Sequence, residues 1–404
     1  MIGDLFARSK RTNEVVRSVN GIRRKRLGTS GIEVSEVGLG TQRWGSTDFN
    51  APDEALCHAM LDLAVANGVN LVDTAEQYPI PSSRERPEGL TEEIIGRWLA
   101  KHDRSSLVIA SKITGGRNVN RISILRDCEG SLRRLGTDYL DVYLLHWPAR
   151  YTPQSNWGQS LEYDWNYGVR AVPSAASFDE IVEAMELLMD RGKIRGYGAC
   201  NDNAVGLMGM AQAGVPPCAM QNDYSILNRR IEENGLSEAS SPALSNCGFM
   251  AYNVLAGGML TGKYDDPPAA VDDAVRDRAQ RTAKSPRGRM DDRGWGMTLG
   301  RYRTTAARAA IAQYEVLAKD YGMTIHDLAL RFVASRPAVT TSLVGHTSLF
   351  QLEETLAAFR KGPLPPQLLW EIDRVHLQNR LPLFSNDKTG PDWGNEGLIG
   401  ERIP

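Results

Sequence analysis

Cysteine is scarce and irregularly placed: five residues in 404, at Cys57, Cys128, Cys200, Cys218 and Cys247, with no C-x-x-C pair among them. An odd, uneven set argues against a disulfide framework and against a cysteine-based zinc site, and it fits the reducing cytoplasm. Long apolar runs are missing as well; none approaches the roughly 18 residues that a membrane-spanning helix needs. No excess of one charge exists, because 47 Lys and Arg face 49 Asp and Glu for a formal net charge of −2. Such a balance offers no broad field to a nucleic acid. The first stretch, MIGDLFARSKRTNEVVRSVNGIRRKR, has no apolar h-region of a secretory signal. It is basic but Ser-poor and holds Asp4 and Glu14. That departs from the acid-poor, Ser-rich pattern of an organellar transit peptide, which stays the alternative to a cytoplasmic location.

What is present is an ordinary globular composition, 42% hydrophobic and 24% charged, with material for a large core. At about 150 residues per domain the length would suggest two or three domains, yet a barrel of alternating strands and helices can occupy more than 400 residues alone. Short β-branched or apolar runs do alternate with amphipathic stretches. Strands are expected at Glu36–Gly40, Asn70–Asp73, Leu107–Ser111, Asp141–Leu145, Ile194–Cys200, Ala219–Asn222, Phe249–Tyr252 and Thr341–Gly345. Helices are expected at Asp53–Ala66, Thr91–His102, Asn120–Leu135, Phe178–Asp190, Ala204–Ala213, Ile231–Ser245, Thr304–Tyr321 and Ser348–Lys361, most of them stopped by glycine. Eight such units predict an α/β fold of the (β/α)₈ TIM-barrel type. The rival doubly wound sheet needs a Gly-rich turn after its first strand, where this chain reads Thr41-Gln42-Arg43-Trp44-Gly45.

Ahead of the first strand, Arg26–Val34 reads as an N-terminal β-hairpin around Thr29-Ser30-Gly31, placed to close the barrel bottom. Two long loops, Pro148–Ser177 and Asp265–Arg303, leave strand ends at the C-terminal mouth, where barrels keep their active sites. The expected organisation is a basic arm over 1–22, one barrel domain over 23–380 and a tail over 381–404, with oligomeric state unreadable.

Titratable residues at strand ends single out Asp73 and Tyr78 after the second strand, Lys112 after the third and His146 after the fourth. Singly each has a plain structural role; together they suit the reduction of a carbonyl, which needs a proton donor and a stabiliser for developing negative charge. A phenol is a weak acid at neutral pH unless a cation lies beside it, so Tyr78 would donate, Lys112 would supply the cation and Asp73 would hold it charged. His146 would hydrogen-bond the substrate oxygen. G-x-S-x-G, H-E-x-x-H and Walker A motifs are all missing, and no metal site is expected.

Leu71-Val72-Asp73-Thr74-Ala75-Glu76-Gln77-Tyr78, Ile109-Ala110-Ser111-Lys112 and Tyr139 through Pro148 resemble, in order, blocks of the aldo-keto reductase superfamily. Gly192 through Gly198, Gln221 through Arg229 and Tyr252 through Tyr264 continue the likeness, which runs from about Arg26 to about His376 and is nearest the Tas-like branch, related to the voltage-gated potassium channel β-subunits. The resemblance implies a barrel that binds a nicotinamide dinucleotide across its mouth and passes hydride to a small-molecule aldehyde or ketone, with Asp73, Tyr78, Lys112 and His146 as the catalytic tetrad. It implies NADP(H) as cofactor, with NADH the alternative. Cofactor contacts carried over are Gly40 and Thr41; Asn201 and Gln221 at the nicotinamide carboxamide; Tyr252 stacked on its ring; Asn253, Leu255, Gly257, Thr261 and Lys263 around the pyrophosphate; and Gly345, Thr347, Gln351 and Glu354 at the adenosine phosphate. Trp44 and Trp147 are expected in the substrate pocket. Two departures stand out: Asn201 lies between Cys200 and Asp202, where the family usually reads Ser before it and an aromatic or small residue after, and Gly345–Glu354 holds no Lys or Arg for a 2′-phosphate. A Schiff-base lyase using Lys112 and a slow, redox-sensing binding module are the other function classes.

Overall fold

The computed structural model describes residues 11–48, 50–116, 119–152, 165–166, 168, 176–264, 299–302, 304–380 and 382–384. The described chain divides into two compact units, the larger made of residues up to Tyr224 with Arg229–Val254 and Leu330–Pro363. All eight barrel strands belong to the larger unit: β4 (Val37–Gly40), β5 (Leu71–Asp73), β6 (Val108–Ile113), β7 (Leu140–Leu145), β8 (Ile194–Cys200), β9 (Ala219–Asp223), β10 (Gly248–Tyr252) and β11 (Thr341–Val344). They pair in parallel and close into a barrel in the order β10-β11-β4-β5-β6-β7-β8-β9. Strands covered on both faces favour near-continuous apolar runs rather than alternation; β6 and β7 are accordingly buried throughout, with the polar Ser111, Lys112 and Asp141 among their residues. This is the expected (β/α)₈ architecture.

Helices on the outside start and stop where local chemistry dictates. Asp53 caps α1 (Glu54–Ala66) by accepting the Leu56 N–H at 2.8 Å, and Ser177 caps α4 (Phe178–Asp190) from the Glu180 N–H. Asn120 and Ser123 satisfy each other's backbone N–H at the head of α3 (Arg121–Leu135), whose far end turns through a left-handed Gly136. Between α1 and α3 lies α2 (Leu90–Leu99); α5 (Ala204–Ala213) follows β8 under the Asn203 cap. The helix expected over Ile231–Ser245 is instead two short pieces, α6 (Arg230–Glu233) and α7 (Leu236–Ala239), separated by Asn234 and by Gly235 at φ +80°. A left-handed residue ends a helical ladder.

The expected hairpin is β2 (Ile22–Leu27) paired with β3 (Ile32–Ser35), and it gains a third strand, β1 (Val15–Val19). Leu27, Ile32 and Val34 join one buried cluster with Leu71, Val108, Ala110, Val142, Leu144, Met250 and Leu343 of the barrel. Each fully buried aliphatic contributes about 1.5–3 kcal/mol by leaving water. Gly28 at the hairpin tip has φ +58°, and a Cβ there would sit 2.5 Å from the Cys218 carbonyl, just before β9 begins. Only glycine permits that approach. The hairpin thus closes the N-terminal end of the strands, leaving the opposite end for chemistry.

The second unit contains α8 (Thr305–Asp320) and α11 (Pro366–Gln378), joined by a Tyr321 hydroxyl donating to Glu371 at 3.0 Å. Between them in sequence come α9 (Ile325–Ser335) and, after β11, α10 (Leu349–Arg360). Most of the two long loops and of the tail lies outside the described residues.

Candidate active site

Strands β5, β6 and β7 end side by side, and their ends carry the four residues expected to do chemistry. Lys112 is fully buried; its ammonium donates to Asp73 Oδ2 at 2.7 Å and to the Thr74 carbonyl at 2.7 Å. The same Nζ lies 5.0 Å from the centroid of the Tyr78 ring, and the His146 ring packs edge-on against that ring at 5.6 Å. Asp73, Tyr78 and His146 are all buried, so water does little to screen these charges.

Burial is the strongest influence on each group. It lowers Lys112, but Asp73, with Tyr78 and Cys200, together outweigh it and keep the ammonium above the usual lysine range. Burial raises Asp73, with the Lys112 charge and bonds from Lys112 and Gln221 opposing it. Tyr78 is likewise raised by burial against the pull of Lys112. The expected lysine assistance is therefore present but does not prevail in the resting protein. His146 is pushed well below the ordinary histidine value, first by burial and then by Lys112, which leaves a neutral imidazole able to donate a hydrogen bond.

Other expected site residues gather around this pair. Gln221, on β9, donates to Asp73 Oδ1 at 2.8 Å and accepts the Cys200 thiol at 3.5 Å. Asn201, at φ +59°, donates to the His146 carbonyl at 3.0 Å and accepts the Tyr252 hydroxyl at 2.6 Å. Thr41, just past the end of β4, is fully buried and gives both its N–H and its hydroxyl to the Asp73 carbonyl. Gly40 and Gly345 lie against each other where β4 and β11 end. Trp44 is buried, its carbonyl accepting the Thr91 hydroxyl. Trp147 is half-buried and stacks on His146 with ring centroids 6.1 Å apart.

The remaining expected contacts lie farther along the chain. Thr347 bonds Gln351 through both its N–H and its hydroxyl at the head of α10, while Glu354 is exposed. Asn253 follows β10 at φ +54°. Leu255, Gly257, Thr261 and Lys263 belong to the second unit, where Gly257 and Gly258 take left-handed φ values of +66° and +100° and Thr261 donates to the Gly258 carbonyl at 2.8 Å.

Sequence reading missed a clasp beside His146. Three successive residues after β8 each grip the segment after β7: Asn201 takes the His146 carbonyl, Asp202 receives a two-pronged Arg150 guanidinium at 2.6 and 2.9 Å, and Asn203 reaches Thr152 at 3.1 Å. Asp202, noted above as a departure in the sequence, is thereby explained. Removing the Asp202 carboxylate leaves its donors, the Arg150 guanidinium and the Asn203 N–H, without their acceptor, a loss that typically costs about 1–3 kcal/mol. Asp202→Ala should lower the denaturation midpoint by that order and raise KM for a carbonyl substrate; an unchanged midpoint and KM would show the clasp to be idle.

Among the described residues no group of three or more His, Cys, Asp or Glu is arranged to hold a metal ion, and no helix is long and apolar enough to cross a membrane.

Comparison with known proteins places the chain in a family. The Aldo/keto reductase family model matches residues 36–376. The chain belongs to the aldo/keto reductase family. Protein Tas of Escherichia coli K12 is 36% identical over 370 residues, covering 87% of this chain and 96% of the relative. Aldo-keto reductase YhdN of Bacillus subtilis is 28% identical over 376 residues, covering 91% and 96%. A crystal structure of the thermostable aldo-keto reductase Tm1743, in complex with the inhibitor epalrestat, superposes with a TM-score of 0.60 at 25% identity, covering 87% of this chain and 99% of that one. As an aldo/keto reductase the chain is an oxidoreductase, of a family whose members reduce carbonyl groups with a nicotinamide cofactor.

Proposed function

We propose that this aldo/keto reductase reduces an aldehyde or ketone to the alcohol with NADPH as hydride source and Tyr78 as general acid. The observation that carries the reading is the buried Asp73–Lys112 pair set against the Tyr78 ring. When bound, the reduced nicotinamide supplies hydride to the carbonyl carbon. Tyr78 gives its hydroxyl proton to the carbonyl oxygen as negative charge develops there, and the Lys112 ammonium stabilises the phenolate left behind. Neutral His146 donates a hydrogen bond to the same oxygen. Burial keeps water away from these exchanges and strengthens each of them.

The residues fit the cofactor. Asn201 and Gln221 each retain one amide hydrogen and acceptor capacity beyond the bonds described above, enough to hold a carboxamide, and Tyr252 is half-exposed beside them for stacking. Within the larger unit, Gly40, Thr41, Asn253, Gly345, Thr347, Gln351 and Glu354 would hold the rest, with Trp44 and Trp147 shaping the substrate side; Leu255, Gly257, Thr261 and Lys263 are the contacts that the family resemblance adds. With no Lys or Arg in Gly345–Glu354, NADH is the alternative cofactor. The five cysteines are free and buried, which supports a cytoplasmic location. A Schiff base at Lys112 is disfavoured, since Asp73 holds the amine charged and so un-nucleophilic.

Purified protein should change NADPH fluorescence and oxidise NADPH in the presence of 4-nitrobenzaldehyde. Tight NADPH retention with negligible turnover over a broad carbonyl panel would move the assignment to a redox-sensing module; no binding of either dinucleotide would overturn it.

A further inference from the structure

The two oxygens of the Asp73 carboxylate have different partners. Lys112 takes Oδ2 at 2.7 Å, while Oδ1 accepts the Gln221 amide at 2.8 Å. Gln221 in turn accepts the Cys200 thiol on its own oxygen at 3.5 Å, which leaves its nitrogen facing Asp73. A side chain whose family assignment is the nicotinamide carboxamide is therefore spent, in this protein, partly on the acid's support. We propose that Gln221 is a positioning residue of the proton-donating site: turned by Cys200, its amide holds the Asp73 carboxylate in the form and orientation that keep Lys112 against Tyr78. The inference rests on the reductase reading and adds to it.

A buried carboxylate oxygen loses its donor when Gln221 is replaced by an apolar side chain, and a hydrogen bond to the charged form favours that form. Its loss raises the proton affinity of Asp73. As Asp73 takes a proton, Lys112 loses its counter-charge and Tyr78 loses the cation beside it. The groups that face this carboxylate are Lys112, Tyr78 and the Cys200 thiol, with His146 sensing Lys112 in turn. Among the described residues the Gln221 amide nitrogen bonds Asp73.

Gln221→Met tests this with two readouts: the pH profile of kcat for NADPH-dependent reduction, and a ¹³C NMR titration of the Asp73 carboxyl in the protein alone. The expected result is an upward move of about one pH unit in both the acid limb and the carboxyl titration, with kcat down about tenfold on the acid side. A residue that only grips the carboxamide would raise the dissociation constant for NADPH and leave the carboxyl titration where it was, and that outcome overturns the proposal. Asn201→Ala, which touches no part of Asp73, is the comparison: weaker cofactor binding without a moved titration. Should Gln221→Met fail to fold, Cys200→Ala carries the test, with a smaller upward move expected and Cys200→Ser restoring it through its hydroxyl; an unmoved titration in Cys200→Ala overturns the proposal. If the wild-type protein reduces no carbonyl compound, the reductase reading falls, and the carboxyl titration still decides the role of Gln221.

Discussion

Tyr78→Phe is expected to lower the turnover of carbonyl reduction by about 10²–10⁴-fold, the range that a positioned general acid contributes, while NADPH binding stays near that of the wild type. The substitution removes one hydroxyl and keeps the ring that packs between Lys112 and His146, so the fold has little reason to change. Among the described residues around Tyr78 no other group is placed to replace the lost proton donor: His146 is neutral, Lys112 is committed to Asp73 and Thr74, and the Cys200 thiol is turned to the Gln221 oxygen. Steady-state rates with 4-nitrobenzaldehyde and a fluorescence titration with NADPH read the two halves separately. Undiminished turnover would remove Tyr78 from the mechanism.

The second large effect concerns stability as well as rate. Lys112→Met would strand the Asp73 carboxylate in the barrel interior with its counter-charge gone, and breaking a buried pair in this way typically costs about 3–5 kcal/mol. Turnover should fall too, because the phenolate of Tyr78 loses its stabilising cation. The double variant Lys112→Met with Asp73→Asn removes both charges. It is expected to regain part of the stability lost in the single variant while staying inactive, since the amide keeps the shape without the uncompensated charge. Denaturant midpoints of the three proteins check this. Equal midpoints for Lys112→Met and the wild type would mean that the pair is not the buried ionic couple described here.

Much of this architecture was written locally. Barrel strands such as Leu140–Leu145 are apolar at every position but Asp141 because both faces are covered, and helix heads at Asp53, Asn120, Ser177 and Ser348 carry side chains that accept backbone N–H groups. β1 escaped notice because Val15–Val19 is largely exposed and its partner β2 is rich in arginine. α11 starts within a proline-rich stretch, Pro363, Pro365 and Pro366, which carries no side-chain cap to announce a helix, although proline suits the first turn of one. The interrupted stretch after Arg230 turned on one glycine whose φ no periodicity reveals.

Within the site, identity was legible and partnership was not. Polar residues at strand ends pointed to Asp73, Tyr78, Lys112 and His146. That Gln221 reaches Asp73 across 148 residues of sequence, or that Thr41 pins the Asp73 carbonyl, depends on which strands become neighbours. Asp202 gave a signal only as a misfit, and its partner Arg150 lay inside a stretch read as loop.

The central claim is that hydride passes from the nicotinamide to a carbonyl carbon at the Tyr78 site. Its most direct measurement uses NADPH deuterated at C4 in each of the two stereochemical forms, with 4-nitrobenzaldehyde as acceptor and mass spectrometry of the alcohol formed. The account predicts deuterium on the carbinol carbon from one form and none from the other. Alcohol free of deuterium with both forms, or no alcohol at all across a broad panel of aldehydes and ketones, would contradict it.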